Sequence, residues 1–471
     1  MTVPITATTR ANGGCSRKRK GMSRVLIISS NTATDPYPVY PLGMAVVAGV
    51  LQQAGHQVMQ HDCLAQGQDV AVLGEKIDTF RPDILAISLR NIDTVDSLSG
   101  EDGWFLQQTR QLVARLRQLS GAPIIVGGPA LTIMPEEIAA YLKVDHAVVG
   151  EGERTVPELV ADLARGVPRS LVIRRREPVA GGDFGSPAYV PELVSYYQQH
   201  SGMLNLQTKR GCPYRCSYCS YPHLEGGCFR AREPRLVVDE LKKLQASYGI
   251  DHVFFTDSVF NDPAGHYLEL VEELLRTGLD LRWSAFFRPQ GFGRQELALM
   301  KRSGLYALEL GTDAACDATL QGIDKGLTFA EVEAVNRACL EARLPAAHFI
   351  MFGGPRENEA TLQEGLDNIE RLAESVVFAF SGIRILPDAP LYERAVADGV
   401  ITRDAPLLKP VYYFSPDIDH RSMEDKITAA FARKRHRIFP PSEGQLRMNA
   451  MKNFGFVGLM WNQLVRFANA S

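Results

Sequence analysis

Two separate stretches of this chain alternate short apolar runs with amphipathic helical patterns, and no other feature restricts its fold as strongly. In the first stretch Val25-Leu-Ile-Ile-Ser29 reads as a buried strand, followed by a helix from Gly43 to Ala54 that Gly55 ends. Further strands are expected at 57–60, 83–88, 123–126 and 146–149, with helices at 105–119 and 135–142. Such alternation predicts a parallel sheet covered by helices on both faces, with ligands held beyond the carboxyl ends of the strands. Residues 166–202 hold several Pro and Gly and read as a connector. The second stretch predicts strands at 204–208, 251–256, 281–286, 307–310, 347–352 and 379–385. Helices are expected between them at 235–247, 264–276, 294–302, 329–342 and 358–373. Six strand–helix units suit an incomplete (β/α)6 barrel better than an open sheet.

The fold class is therefore α/β: a Rossmann-like domain over 23–165, a connector over 166–202, a partial TIM-like barrel over 203–400 and a mainly helical region over 401–471. The chain's 471 residues exceed what one core supports, in keeping with this division. Residues 1–22 are Thr/Ala/Gly-rich and then basic, lack the apolar stretch of a secretory signal, and read as a disordered leader or as sequence upstream of a start at Met22. A formal net charge of −3 offers no electrostatic basis for nucleic-acid binding. No uncharged apolar run reaches the roughly 18 residues of a membrane span. Eight cysteines in such a long chain are too sparse for a secreted disulfide scaffold, which places the protein in a reducing cytoplasm.

Three of those cysteines crowd into Lys209-Arg-Gly-Cys-Pro-Tyr-Arg-Cys-Ser-Tyr-Cys-Ser220, directly after the first barrel strand, where active-site loops belong. Thiolates at Cys212, Cys216 and Cys219 are soft ligands suited to an iron–sulfur cluster. Three ligands to a cubane leave one iron open to a chelating small molecule. The rival is zinc, which needs a fourth ligand that His223 or Cys228 would have to supply. Cys228 reads better as a plain thiol or a residue near the substrate, and His223 as a loop residue. Cys15, Cys63, Cys316 and Cys339 read as structural or incidental.

The CxxxCxxC pattern, with the aromatic Tyr218 before its last cysteine, resembles the signature of the radical S-adenosylmethionine (SAM) superfamily. The resemblance runs through roughly 200–400. It implies a 4Fe-4S cluster on Cys212, Cys216 and Cys219, with SAM chelating the open iron. In the same comparison Thr256, Asp257 and Ser258 would hold the methionine amino group, partly through backbone carbonyls. Glu309, in Leu308-Glu-Leu-Gly311, would meet the cofactor's polar groups. Phe352 and Gly353, in Phe349-Ile-Met-Phe-Gly-Gly-Pro355, would contact the adenine, and Arg384 and Pro387 fit the end-of-barrel pattern. Gly-Gly-Pro also reads as a plain turn, and Arg384 as the partner of a nearby acid.

The preceding domain resembles the cobalamin-binding domain of the cobalamin-dependent members. The resemblance rests on Pro41, Leu42 and Gly43 opening the first helix, and on Ser88, Leu89, Arg90 and Asn91 after the third strand. Gly127, Gly128 and Pro129 follow the fourth strand, and Gly150, Glu151, Gly152 and Glu153 the fifth. Ser88 would hydrogen-bond the base of the cobalamin tail, and the glycines would admit it closely. Many cobalamin domains carry Asp-x-His-x-x-Gly, whose histidine ligates cobalt from below. Here Ser30-Asn-Thr-Ala-Thr-Asp-Pro36 has no histidine, leaving Arg90, Asn91 and Asp93 as the candidates to approach that face or to order a loop over it. No GxGxxG follows the first strand, which disfavours a dinucleotide.

The resemblance implies a methyltransferase acting on an unactivated carbon of a small-molecule or lipid-like substrate, fed by an electron donor such as flavodoxin or ferredoxin. The alternatives are a cyclase, ring-contraction or oxidation enzyme with the same cofactors, and a non-catalytic cobalamin-binding protein. No catalytic side chain is assigned beyond the cofactors. Residues 443–467 carry many apolar side chains at helical spacing and predict a helix over the barrel mouth, or else a surface for lipid, a carrier or peripheral membrane contact.

Overall fold

The computed structural model describes residues 22–34, 36–100, 103–174 and 177–465. The leader expected over 1–22 lies, save for Met22, outside the described residues. Strands β1 (Arg24–Ser29), β2 (Gln57–Asp62), β3 (Ile84–Ser88), β4 (Ile124–Gly127), β5 (His146–Val149) and β6 (Val172–Arg174) form one sheet. Its order is β2-β1-β3-β4-β5-β6 and every pairing is parallel. The unbroken apolar run of β1 follows from burial on both faces. Leu26 and Ile28 join a core with Leu112 and Leu116 of helix Phe105–Leu119. Val25 and Ile27 join another with Met44 and Leu51 of helix Leu42–Gln53.

The segment read as a connector is more structured than expected. It supplies β6 and the helix Pro191–Ser201, whose Leu193, Val194 and Tyr197 are buried. A three-residue strand is too short to show a period, which is why the pattern missed it.

The second half contains β7 (Leu204–Leu206), β8 (Lys209–Arg210), β9 (Arg230–Ala231), β10 (His252–Phe255), β11 (Arg282–Phe287), β12 (Leu305–Asp313), β13 (Ala346–Phe352), β14 (Val376–Ser381), β15 (Ile383–Arg384), β16 (Tyr412–Tyr413) and β17 (Arg437–Ile438). Seven of them form a curved parallel sheet in the order β17-β14-β13-β12-β11-β10-β7. The six expected strands are joined by β17, two residues that pair with Val377 and Phe378. The pairs β8–β9 and β15–β16 are short two-stranded antiparallel sheets apart from the barrel sheet.

The tail departs from the single helix expected over 443–467. A helix over Pro441–Lys452 ends before Gly455 and Gly458, and a short turn of helix resumes at Trp461–Leu464. Leu459, Met460, Trp461, Leu464 and Val465 bury against Met203, Phe254, Ala307, Ala347 and Val376. These partners lie before or in the early part of their strands, apart from Phe254, so the tail plugs the barrel from its amino-terminal end instead of crossing its mouth. Leu446, Phe454, Phe456 and Val457 stay exposed. Among the described residues no helix is long and apolar enough to cross a membrane.

The two sheets are tied together by Arg384, whose Nε donates to Asp93 Oδ2 at 2.8 Å with both side chains 3% exposed. Arg384 also donates to the carbonyls of Ile385 and Leu407. It is thus the partner of an acid, the alternative that the sequence left open. Arg384→Ala strands the Asp93 carboxylate in the interior and is expected to cost about 3–5 kcal/mol, read as a lowered urea midpoint.

Candidate active site between two facing sheets

The carboxyl ends of the two parallel sheets face one another. Between them lies a cavity of about 330 Å³. Ser29, Ser88, Gly127 and Gly150, at or just after the ends of β1, β3, β4 and β5, form one wall. Asn205, Gln207, Arg210, Tyr221, Leu224 and Thr256 of the barrel form the other. A cleft of about 540 Å³ shares Thr132, Gly150, Glu151, Leu224 and Glu225 with this cavity and leads outward past His223 and Asp388.

Twelve of the fourteen residues expected to meet cobalamin line the cavity: Pro41, Leu42, Gly43, Ser88, Arg90, Gly127, Gly128, Pro129, Gly150, Glu151, Gly152 and Glu153. Leu89 does not, because its side chain is buried in the core and its backbone is bonded to Gly127 and Ala130. Asn91 does not either; its Oδ1 accepts from Arg90 Nε at 3.2 Å. Gly128 has φ +111°, and a Cβ there would lie 2.4 Å from the Leu89 carbonyl oxygen, so only glycine fits. Arg90 Nη1, Asn31 Oδ1 and Asn205 Nδ2 are buried on this cavity without a hydrogen-bond partner among the described residues. Unpaired buried polar groups are costly, and a large ligand rich in amides and phosphate would satisfy them. The donor set fits cobalamin. Arg90 is the cationic group at the end of β3, and burial lowers its pKa.

Glu151 and Glu153 do more than turn beneath a ligand. Arg210 Nη2 pairs with Glu153 Oε1 at 2.6 Å, and Arg230 Nη2 with Glu151 Oε1 at 2.6 Å. Arg210 also lies over the Phe184 ring, 4.1 Å from its centre. These ion pairs join the first sheet to the strand pair β8–β9 that introduces the cysteines. Gly211 follows at φ +91°, where a Cβ would fall 1.9 Å from the Cys228 carbonyl oxygen.

Cys212 and Cys216 are buried, and Cys219 is partly so. Their loop is held by backbone bonds from Cys212 N–H to Gly226 O and from Ser217 N–H to Ile323 O, at 3.0 and 2.8 Å. Burial raises all three thiol pKa values, that of Cys219 to about 12. Lys325 and Arg288 oppose this at Cys212 and Cys216. No three His, Cys, Asp or Glu side chains among the described residues converge on one metal ion. Mononuclear zinc would need all its donors at about 2.0–2.3 Å from one centre. A cubane meets each thiolate at a different iron, so the donor set fits a 4Fe-4S cluster. His223 lies 3.7 Å from Asp388 and Cys228 is exposed. Cys63, Cys316 and Cys339 are free and buried, and Cys15 lies outside the described residues.

The residues expected to meet SAM are less uniform. Thr256 lines the cavity, but its Oγ1 donates to Leu206 O at 2.9 Å. The Asp257 carboxylate accepts from the Thr208 and Lys209 N–H groups at 2.7 and 3.1 Å and pairs with Lys209 Nζ at 3.3 Å. It braces the strand ahead of the cysteines, leaving only its backbone for a ligand. Ser258 Oγ donates to Gly211 O at 2.8 Å. Phe352 packs among helix-facing side chains, its carbonyl accepting from Gly382 N–H, and Gly353 is bonded to Glu357 and Ser415. The Gly-Gly-Pro segment is a packed turn.

Glu309 corrects the sequence reading most clearly. β12 runs on to Asp313, so Glu309 is mid-strand and 1% exposed, inside the barrel. Tyr37 of the first domain donates to its carboxyl at 3.4 Å, and the Trp461 indole approaches from the tail. Burial raises Glu309 to about 8. The acid at the strand's end is Asp313, bonded to Tyr218 Oη and Lys325 Nζ beside the cysteines. The sequence signal was obscured because Leu-Gly-Thr-Asp reads as a turn.

Residues 28–160 match the B12 binding domain family and residues 206–369 the Radical SAM superfamily. The tryptophan 2-C-methyltransferase of Streptomyces laurentii is 25% identical, aligning 78% of this chain with 73% of its own. An anaerobic magnesium-protoporphyrin IX monomethyl ester cyclase of Cereibacter sphaeroides is also 25% identical, over 69% of this chain and 55% of its own. The structure of the radical SAM methyltransferase TsrM from Kitasatospora setae, with cobalamin and a 4Fe-4S cluster bound, superposes with a TM-score of 0.79 at 24% identity, covering 94% of this chain and 97% of that one. The chain belongs to the cobalamin-binding radical SAM enzymes, whose cofactors are a 4Fe-4S cluster, SAM and cobalamin.

Gly128→Ala is expected to weaken hydroxocobalamin binding at least tenfold by absorbance titration while the cluster spectrum is unchanged. Glu309 supplies a stability signature. Its proton is held more tightly folded than at the ordinary value of 4.5, so its contribution is complete below that pH and is lost as pH rises through about 8. Thermal midpoints measured from pH 5 to 9 should therefore fall more steeply in the parent than in Glu309→Gln.

Proposed function

We propose that this chain transfers a methyl group to an unactivated carbon of a small molecule. The observation that carries this reading is one cavity bounded both by the strand ends of the first domain and by the strand that leads into the cysteine loop. Proximity of this kind removes much of the entropic barrier between separate reactive groups. When bound, the reduced cluster supplies the electron that cleaves SAM, and cobalamin carries the methyl group.

The chain's own residues bind, orient and exclude water. Cys212, Cys216 and Cys219 hold the cluster. Arg90 and the glycines of the strand ends hold cobalamin. The backbones of Thr256 to Ser258, with Tyr218, would hold SAM. The ion pairs of Arg210 and Arg230 keep the two walls in register, and the tail seals the barrel from below so that bulk water does not reach the lumen. The relative from Streptomyces laurentii, named for methylation of tryptophan, supports a small-molecule substrate.

A low-potential donor such as flavodoxin or ferredoxin completes this reading, as does a cytoplasmic setting. All described cysteines are free, in keeping with reducing surroundings. The cyclase relative supports a second reading, radical chemistry without methyl transfer.

Protein reconstituted without oxygen with iron, sulfide and hydroxocobalamin should, once reduced, form both S-adenosylhomocysteine and 5′-deoxyadenosine from SAM. 5′-Deoxyadenosine alone would favour the second reading, and neither product would favour a non-catalytic cobalamin binder. Cys216→Ala should abolish the cluster absorption and 5′-deoxyadenosine formation while hydroxocobalamin still binds.

A further inference from the structure

The two most exposed large apolar side chains among the described residues, Phe454 at 82% and Leu446 at 65%, both belong to the tail. Phe456 and Val457 are exposed with them. This is not a loose stretch of chain, since Met448 is buried before it and Leu459, Met460 and Trp461 after it. Between those anchors Gly455 and Gly458 take φ +83° and +86°, left-handed values that glycine adopts readily. The resulting turn carries the phenylalanines on either side of Gly455 into solvent before the chain returns to the end of the barrel.

The charge around this turn is as uneven as its exposure. Between 433 and 457 six arginines and lysines meet a single acid, Glu443, in a chain whose formal net charge is −3. Arg437 is buried on the carbonyls of Ile369, Leu372 and Ser375, and Lys434 pairs with Glu370. Arg433 and Arg435 are exposed and form no ion pair with a described residue. Arg447 Nη1 donates to the Arg435 carbonyl at 2.7 Å, which sets the basic segment beside the helix that leads into the turn. Arg447 Nη2 comes no closer than 4.0 Å to Glu443. From Arg447 to Phe454 is roughly 10 Å along the chain, about one Debye length at physiological salt.

We infer that this face rests on an anionic phospholipid bilayer, with Leu446, Phe454 and Phe456 among the headgroups and Arg433, Arg435 and Arg447 toward their phosphates. Apolar side chains beside a group of cations are what an interfacial segment presents to such a surface, without crossing it. The area argues against a second copy of the chain as the occupant. Two phenylalanines, a leucine and a valine, each partly exposed, offer roughly 400 Å², whereas a standard interface takes about 800 Å² from each partner. Unbalanced positive charge would also repel the same face of another copy. The tail closes the amino-terminal end of the barrel, and the cavity shared with the first domain lies at the carboxyl end. The contact therefore fixes the enzyme at a membrane without entering its site.

The test is flotation of the full chain, loaded with cluster and hydroxocobalamin, on two kinds of vesicle. One is phosphatidylcholine alone and the other an equal mixture of phosphatidylcholine and phosphatidylglycerol. At least tenfold more protein should float with the mixed vesicles, and high salt should release most of it. Phe454→Asp should lower flotation at least tenfold, with cluster and corrin spectra unaltered. The pair Arg433→Gln and Arg435→Gln, which leaves the apolar side chains in place, should lower it severalfold. Equal flotation on both vesicles, no flotation on either, or flotation indifferent to Phe454→Asp overturns the inference. So does a dimer seen by light scattering that Phe454→Asp dissociates, since a second copy then occupies the face.

Discussion

Glu151 and Glu153 each meet an arginine that flanks the cysteine loop, and much of the molecule's functional geometry depends on that meeting. A parallel sheet collects its functional loops at one end. Two such ends turned toward each other enclose whatever lies between them, but apolar contact alone leaves their relative rotation poorly determined. Arg210 and Arg230 resolve this with directed pairs to Glu151, just after β5, and to Glu153 in the first turn of the helix Gly152–Ala164. Removing these charges from water offsets much of their attraction, so their net contribution to stability is small. What they add is directionality, since a forked guanidinium accepts a carboxylate in few arrangements. Arg210 is two residues from Cys212, so the orientation of the first domain passes directly to the loop that holds the cluster.

Chemical demands were more legible in the sequence than geometric ones. The three cysteines were readable because three thiols at that spacing after a strand have few other uses. Gly127 and Gly128 were readable because a close backbone approach requires glycine. By contrast, β6 and β17 are too short to carry a period, and the helix Pro191–Ser201 was hidden among prolines and glycines. Asp313 went unread because Gly311 and Thr312 resemble a turn, while in the structure they continue β12 past a register shift and leave Glu309 mid-strand. Contacts between distant segments were invisible: Tyr37 and Glu309 are 272 residues apart, and no local pattern announces their pairing.

The loop after β1 shows how a missing residue and a new contact belong together. It lacks the histidine that many cobalamin domains place there, and the described part of the loop is committed to the barrel. Tyr37 packs against Phe254 at 5.9 Å between ring centres, and the Tyr40 N–H donates to Asn205 Oδ1 at 3.0 Å. The neighbouring strand end supplies Arg90 to the shared cavity instead.

Three parts of the chain converge on Glu309: the first domain through Tyr37, the barrel through β12, and the tail through Trp461. An ionised carboxylate at that point would be strongly unfavourable, because the surrounding side chains supply hydroxyl and indole groups but no cation. A protonated acid avoids that penalty and can also donate. The barrel is therefore closed at its amino-terminal end by the tail and by Tyr37, while its carboxyl end faces the cavity shared with the first domain.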